Sequence, residues 1–241
     1  MQRFFVDDNA IKDGKITITG YDASHISRVL RLDKGDKTVV CCNLTDYFCT
    51  IESSLKSEVV LNVDYTKENL NEAPIKITVY QGLPKSDKMD YIIQKCVELG
   101  AEKFVPVITK NCIIKIKDGD KKVLRWQKIA SEAAKQCGRG IIPKVMPVAK
   151  FENAAKDAEG LKIIPYENEK TTGLKSILKN KDDLTDKISV FIGPEGGFDE
   201  SEIILAKENK IVPVTLGPRI LRTETAAAAV CAACMYELGD W

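Results

Sequence analysis

Histidine is almost absent from these 241 residues; the only one is His25. A Ser-His-Asp or Cys-His hydrolase would have to use that single ring as its base, and no GxSxG turn exists to present a nucleophile. Long apolar runs are absent as well. The longest charge-free apolar stretch, Ala226 to Tyr236, is well short of the roughly 20 residues that cross a bilayer. The N-terminal MQRFFVDDN has no long apolar core or small-residue cleavage site, so a cytoplasmic location is expected. Eight cysteines form no pair of CxxC knuckles, and with one histidine no zinc site and no other metal is expected. Cys231 and Cys234 make a single CxxC inside AAAAVCAACMY, where packing of small residues in a helix is the expected role. With 44% hydrophobic and 29% charged residues, disordered, collagen-like and disulfide-scaffold classes are excluded.

Charge of one sign is also missing overall, the net being +1. Its distribution is uneven. Residues 1–73 carry net −3, residues 82–144 net +7 and residues 145–241 net −4. The middle segment is a candidate electrostatic footprint for nucleic acid, or else a solvated lysine-rich face. Arginine is scarce, 7 against 29 lysines, and gathers at Arg3, at Arg28 and Arg31, at Arg139, and at Arg219 and Arg222. A lysine-favouring chain that still uses arginine points to sites needing the planar fork that grips phosphate or carboxylate.

The first seventy residues read as short strands (KITITG, KTVVCCN, YFCTIESS, EVVLNVDY) between DG, KGD and NLTD turns. A short helix in DASHISRVLRL, capped by Asp22 or Ser24, interrupts them. The polar TKENLNEAP ending in Pro74 is the linker candidate. From Ile75 strands and helices alternate. IKITVYQGL, KFVPVIT, LKIIPYE, ISVFIGP and VPVTLGP read as strands. Helices are expected from about Lys88 to Leu99, about Lys121 to Gln136, in TGLKSILKN, in DESEIILAKEN and in TETAAAAVCAACMYEL. Near-continuous apolar strands between helices imply an α/β domain with a covered parallel sheet behind a small β-rich domain.

Ligands of such sheets bind beyond the carboxyl ends of the strands, which singles out three loops: Pro165-Tyr166-Glu167, GPEGGF from Gly193 to Phe198, and LGPRILRTETA from Leu216 to Ala226. Gly193, Gly196 and Gly197 permit positive backbone angles and close approach, as an ordinary tight turn also requires. Asp199 or Ser201 is a candidate cap for the next helix, with Glu202 in its first turn. GPEGGF matches neither the P-loop GxxxxGK[ST] nor the dinucleotide GxGxxG. Thr223 or Thr225 is the candidate cap of the last helix. Arg219 and Arg222 beside that helix start oppose the macrodipole; they answer to a ligand or to RNA, or pair with Glu195 or Glu224.

GPEGGF followed by LGPRILRTETA resembles the signature of the SPOUT methyltransferases, specifically the RsmE-type family, which methylates N3 of a uridine in 16S ribosomal RNA. RFF (3–5), HISRVLRLDKGD (25–36), KSDKMDYIIQKCVELGA (85–101) and RWQKIASEAAKQCGR (125–139) extend the likeness along nearly the whole chain. The resemblance implies an α/β SPOUT domain over residues 73–241, a parallel sheet covered by helices with a C-terminal trefoil knot. A small PUA-like or OB-like β-barrel that binds RNA would precede it over residues 1–72. It further implies a homodimer, a bent S-adenosyl-L-methionine in the knot pocket, and 16S rRNA within the small ribosomal subunit as partner.

Carried onto this chain, the cofactor pocket comprises Ile164, Pro165, Tyr166, Glu167, Gly193, Pro194, Glu195, Gly196, Gly197, Leu216, Gly217, Leu221, Arg222, Thr223, Glu224, Thr225 and Ala226, with adenine against Leu216 or Leu221. Arg3, Arg28 and Arg31 in the barrel, and Lys85, Lys88, Gln136 and Arg139 in the catalytic domain, would face RNA. One departure stands out. Where the family has an arginine in a stretch like TERSVV, this chain reads Thr109-Lys110-Asn111-Cys112-Ile113-Ile114, and Lys110 cannot supply bidentate geometry.

In the implied reaction uridine N3, which carries a proton, attacks a sulfonium methyl; the barrier falls if a base removes that proton or the uracil anion is stabilised. Arg222 is the expected stabiliser of charge on the uracil carbonyls, with Glu195 or Glu224 orienting the site. Because N3 lies on the Watson–Crick edge, the base must be flipped or unpaired. Asn111 motivates an alternative, a catalytically silent SPOUT-fold RNA-binding assembly factor, and a further one is methylation of another RNA. The intact glycine and RTETA loops argue against the first, and the full-length likeness against the second.

Overall fold

The computed structural model describes residues 1–113, 118–180 and 186–241; Ile114 lies outside them. The chain divides into two units, Met1–Glu72 with Ala134–Ile141, and Ala73–Ala133 with Ile142–Trp241.

In the first unit, alternation along the strands sends one set of side chains inward, as in Lys15–Thr19, where Ile16 and Ile18 are buried between more exposed neighbours. Strands β1 (Gln2–Phe5), β2 (Ile11–Lys12), β3 (Lys15–Thr19), β4 (Lys37–Cys42), β5 (Thr45–Ser54) and β6 (Glu58–Glu68) form one sheet in the order β1-β4-β5-β6-β3-β2. Only β1 and β4 run parallel. Phe4, Val40, Ile51, Val59 and Leu61 meet Ala23 and Ile26 from the helical insertion in one core. That insertion starts earlier than expected. Helix α1 (Gly20–Ser24) passes into a π-helical turn, His25–Leu30, and the residue at its start is Thr19, without a side-chain cap, instead of Asp22 or Ser24. Gly20 at φ +66° turns the chain straight out of β3, a conformation glycine adopts at no steric cost. Asp22 instead receives the Lys135 ammonium at 2.9 Å.

The second unit contains β7 (Lys76–Gly82), α2 (Lys88–Glu98), β8 (Lys103–Ile108), most of α3 (Gly119–Cys137), β9 (Lys144–Val145), β10 (Ala149–Lys150), α4 (Phe151–Asp157) and β11 (Leu161–Pro165). It continues through α5 (Leu174–Lys179), β12 (Lys187–Ile192), α6 (Glu200–Glu208), β13 (Val212–Val214) and α7 (Thr223–Leu238). Its strands are parallel, in the order β10-β8-β7-β12-β11-β13, with β9 beside β8. Residues 188–192 of β12 are all buried, as a parallel sheet covered on both faces requires. Phe151, Ala154 and Ala155 of α4 and Ile203 and Ala206 of α6 join a cluster with Tyr80, Val107, Ile164 and Phe191. There Tyr80 and Phe191 stack at 4.4 Å and Phe151 meets Phe191 edge-on at 5.8 Å, arrangements aromatic pairs prefer. Helices α2 and α5 pack on α7, which lies on β7 and β12, burying Ile92, Ile93, Cys96, Cys231, Cys234 and Met235. The CxxC cysteines are thus helix packing.

Helix α4 has no counterpart in the sequence reading. Its seven residues, FENAAKD, have no side-chain cap; they are helical because Phe151, Ala154 and Ala155 fill the core. Among the described residues no cluster of three His, Cys, Asp or Glu side chains forms a metal site, and no helix is long and apolar enough to cross a membrane.

Two consequences are measurable. Gly160 sits at φ +67° with the place of a Cβ only 2.0 Å from the Lys187 carbonyl oxygen. Gly160→Ala is therefore expected to cost about 2–4 kcal/mol, read as a lowered midpoint in urea unfolding. In the first unit Arg3 holds both Asp46 oxygens, at 2.6 and 2.7 Å, and Asn69 Nδ2 donates to them at 3.2 and 3.1 Å. Burial pushes the Asp46 carboxyl up, but Arg3 and Asn69 more than offset it and hold it below the usual range. A depressed carboxyl contributes stability above its ordinary pKa and loses it as pH falls below about 4. Thermal melts between about pH 5 and about pH 3 should show a steeper loss for the parent than for Asp46→Asn.

Candidate functional site

The loops leaving the carboxyl ends of β11, β12 and β13 enclose a cavity of about 540 Å³. Of the cofactor residues expected from sequence, its lining brings together Pro165, Tyr166, Glu167, Gly193, Pro194, Glu195, Gly196, Gly197, Leu216, Gly217, Leu221, Arg222, Thr223 and Ala226, and adds to them Lys88, Lys170, Phe198 and Thr215. Ile164 is buried in the adjoining core. Glu224 and Thr225 instead line a neighbouring concavity of about 830 Å³ with Tyr91, Leu99, Ala228, Ala229 and Ala232. Lys88 lines both.

Each loop is held by its own bonds. After β11, the Glu169 carboxylate accepts from the Thr171 hydroxyl and from the backbone of Thr171 and Thr172, which hold its pKa at about 2. After β12 the glycine loop folds on itself. Gly197 at φ +65° donates to the Pro194 carbonyl at 3.0 Å, and a Cβ on Gly193 would stand 3.2 Å from Gly197 Cα. Those two glycines are required by the turn itself. The loop ends on α6, capped by Asp199: its side chain accepts from Ser201 while the Glu202 side chain returns to the Asp199 backbone. This settles the alternative between Asp199 and Ser201.

The last helix starts otherwise than expected. Its cap position is Arg222, with no side-chain bond, and neither Thr223 nor Thr225 caps it. Thr223 is buried and its Oγ1 donates to the Gly193 carbonyl at 2.6 Å, a stronger demand than a helix end that water can reach. Arg219 and Arg222 are exposed, and neither pairs with Glu195 or Glu224. Both acids go to Lys88, whose Nζ lies 2.9 Å from Glu195 and 3.3 Å from Glu224 Oε2. Glu224 Oε2 is buried and accepts no hydrogen bond from the described residues. Burial pushes the Glu195 carboxyl up, but Lys88 and the Lys85 and Glu195 amides pull it below the usual range; Glu195 and Glu224 in turn raise Lys88.

Lys88, expected to face RNA, is therefore engaged by two carboxylates. Arg3 and Arg139 are likewise engaged, Arg3 by Asp46 and Arg139, 4% exposed, by Glu72. Gln136 and Arg139, expected in the catalytic domain, belong to the first unit. Arg28, Arg31, Lys85 and Gln136 are exposed. Asn111 Nδ2 donates to the carbonyls of Gly196 at 3.0 Å and Gly197 at 3.4 Å, so the departure from the family pattern ties that segment to the glycine loop. Lys110 extends the tie, its backbone N–H to Glu202 and its ammonium to Asp199 and Ser201. Sequence reasoning missed Gln81, buried at the end of β7 and bonded to Thr223. Its one legible signal is a polar side chain in an apolar strand.

A family profile described as an RNA methyltransferase domain matches residues 71–235. The ribosomal RNA small subunit methyltransferase E of Bacillus subtilis is 36% identical, over 98% of this chain and 97% of that protein. The protein of the same name from Synechocystis is 32% identical, over 95% of this chain and 76% of that protein. The crystal structure of a ribosomal RNA small subunit methyltransferase E from Neisseria gonorrhoeae bound to S-adenosyl methionine superposes with a TM-score of 0.90 at 30% identity, over 100% of this chain and 99% of that one. The chain belongs to the ribosomal RNA small subunit methyltransferase E family of RNA methyltransferases.

Proposed function

We propose that this protein methylates N3 of a uridine in 16S ribosomal RNA, using S-adenosylmethionine held in the cavity beyond β11, β12 and β13. The single observation that carries the reading is that cavity, formed by three successive strand ends in a chain whose fold matches a relative bound to S-adenosyl methionine. Its walls suit the cofactor chemically. Leu216, Leu221, Ala226 and Phe198 offer apolar surface for an adenine, and Glu167 and Glu195 offer negative charge for a sulfonium and an ammonium.

S-adenosylmethionine supplies an electrophilic methyl group when bound. The chain's own residues do the rest. Arg222, exposed at the mouth and in no ion pair among the described residues, stabilises negative charge gathering on the uracil carbonyls as N3 loses its proton. Glu195, ionised through Lys88, and Glu224 orient that site. The target base enters unpaired, since N3 is occupied in a duplex. Arg28, Arg31, Lys85 and Gln136 contact the RNA backbone, while Arg3 and Arg139 shape the first unit through Asp46 and Glu72. That unit acts as a PUA-like RNA-binding barrel, residues 1–72 in the main, and residues 73–241 as the SPOUT domain. The path of the chain after β13, back to lay α7 on β7 and β12, supports a trefoil knot there. Exposed Thr225 and Ala229 on α7, which line one concavity with exposed Tyr91, support a homodimer through this face. We place the enzyme in the cytoplasm, where small subunits are assembled.

Labelled S-adenosylmethionine, incubated with small subunits or naked 16S RNA from a strain lacking the modification, should yield 3-methyluridine by nucleoside mass spectrometry. A different methylated nucleoside, or none, would remove the assignment. Lys88→Met leaves two carboxylates without their shared cation, and kcat/KM should fall about tenfold or more; unchanged turnover would show that Glu195 and Glu224 need no such partner.

A further inference from the structure

Gln81 is the last residue but one of β7, paired in register with Ile192, the last residue of β12 before the glycine loop. It is fully buried. Its Nε2 donates to Gly82 O at 2.8 Å and to Thr223 Oγ1 at 2.9 Å, and lies 3.5 Å from Gly193 O. Thr223 Oγ1 gives its own proton to Gly193 O at 2.6 Å. A hydroxyl has one proton, so after donating to Gly193 it can only accept from Gln81; carbonyl oxygens can only accept. All three neighbours thus demand the amide's NH₂ and fix which way it faces. The remaining atom, Gln81 Oε1, is buried and has no hydrogen-bond partner among the described residues.

An unpaired buried acceptor is unfavourable, and a methionine of nearly the same shape avoids it. A glutamine here has value through its donor. We infer that Gln81 is a positioning residue for methyl transfer: through Thr223 it locks the start of the glycine loop to the first turn of α7, two parts of the cofactor pocket that the chain supplies separately. Gln81 itself is not part of the pocket lining, whereas Gly193 and Thr223 are. It acts on the cofactor only through them. The inference rests on the reading of that cavity as the S-adenosylmethionine site.

The test is calorimetric affinity for S-adenosylmethionine in the full-length parent, Gln81→Met, Thr223→Val, the double variant and Thr223→Ser, each with its melting temperature. Gln81→Met should bind about tenfold more weakly with a melting temperature close to the parent's, because removing the orphan acceptor compensates the fold. Thr223→Val should lose at least as much, and the double variant no more than Thr223→Val, since both changes break one chain of bonds. Thr223→Ser keeps the hydroxyl and should bind more tightly than Thr223→Val. Parental affinity in Gln81→Met, losses that multiply in the double variant, or collapse of the Gln81→Met fold would each overturn the inference, the last by assigning Gln81 to the core alone. A folded parent that binds no cofactor overturns the reading of the cavity and this inference with it, whereas a binding parent with unaffected variants overturns this inference only.

Discussion

The hydrogen bond from the Thr223 hydroxyl to the Gly193 carbonyl, 2.6 Å long and 30 residues apart in sequence, is the constraint on which the site depends. A loop at a strand end is ordinarily the most mobile part of an α/β fold. Here a half-buried carbonyl at the start of the glycine loop takes a donor, and the donor sits at the start of the last helix. Satisfying one fixes the other. Once Gly193 is held, the turn closed by Gly197 and Pro194 has one place to lie, and Asn111 takes two of its remaining carbonyls. Once Thr223 is held, α7 enters its packing against α2, β7 and β12 at a set height, with Glu224 delivered to Lys88 one residue later.

Much of this architecture is legible in the residues. Strand and helix periods announce the α/β half because Ile, Val and Phe recur at the spacing of buried strands, and GPEGGF and LGPRILRTETA mark the loops at their ends. The failures have physical causes. Helix α4 is too short for its period to register and has no cap; only the core against Phe151 makes it helical. The cap positions at α1 and α7 went to Thr19 and Arg222, because Gly20 and the Gly193 carbonyl outweigh the local preferences of Ser, Thr and Asp. Gln81 is 142 residues from its partner Thr223, a separation over which no local pattern carries information.

Charge is the least transparent feature in one dimension. Arginine against a lysine background rightly indicates demanding sites, yet for Arg3 and Arg139 the demand comes from carboxylates of the same unit. A planar fork grips Asp46 or Glu72 as well as it grips a phosphate. The same holds for Lys88, one of the fourteen cations in the segment of net +7: counting it as free overstates the field offered to a polyanion. Within that segment Lys85, Lys121 and Lys122 are exposed, whereas the exposed Arg28 and Arg31 belong to the first seventy residues.

The grouping of Ala134–Ile141 with Met1–Glu72 bears on how the chain reaches this state. Glu72 takes its donors from Arg139, Gly140 and Ile141, and Asn69 and Asn71 donate to the Gly138 carbonyl. The first unit is therefore incomplete when β6, the last strand of its sheet, leaves the ribosome. It waits, with an unmatched carboxylate, while another seventy residues are translated, and two parallel strands of the second unit are made before the first unit can be completed. The chain's own synthesis thus imposes an order: an amino-terminal stretch that stops at Glu72 cannot complete the first unit, whereas residues 73–241 hold every part of the second.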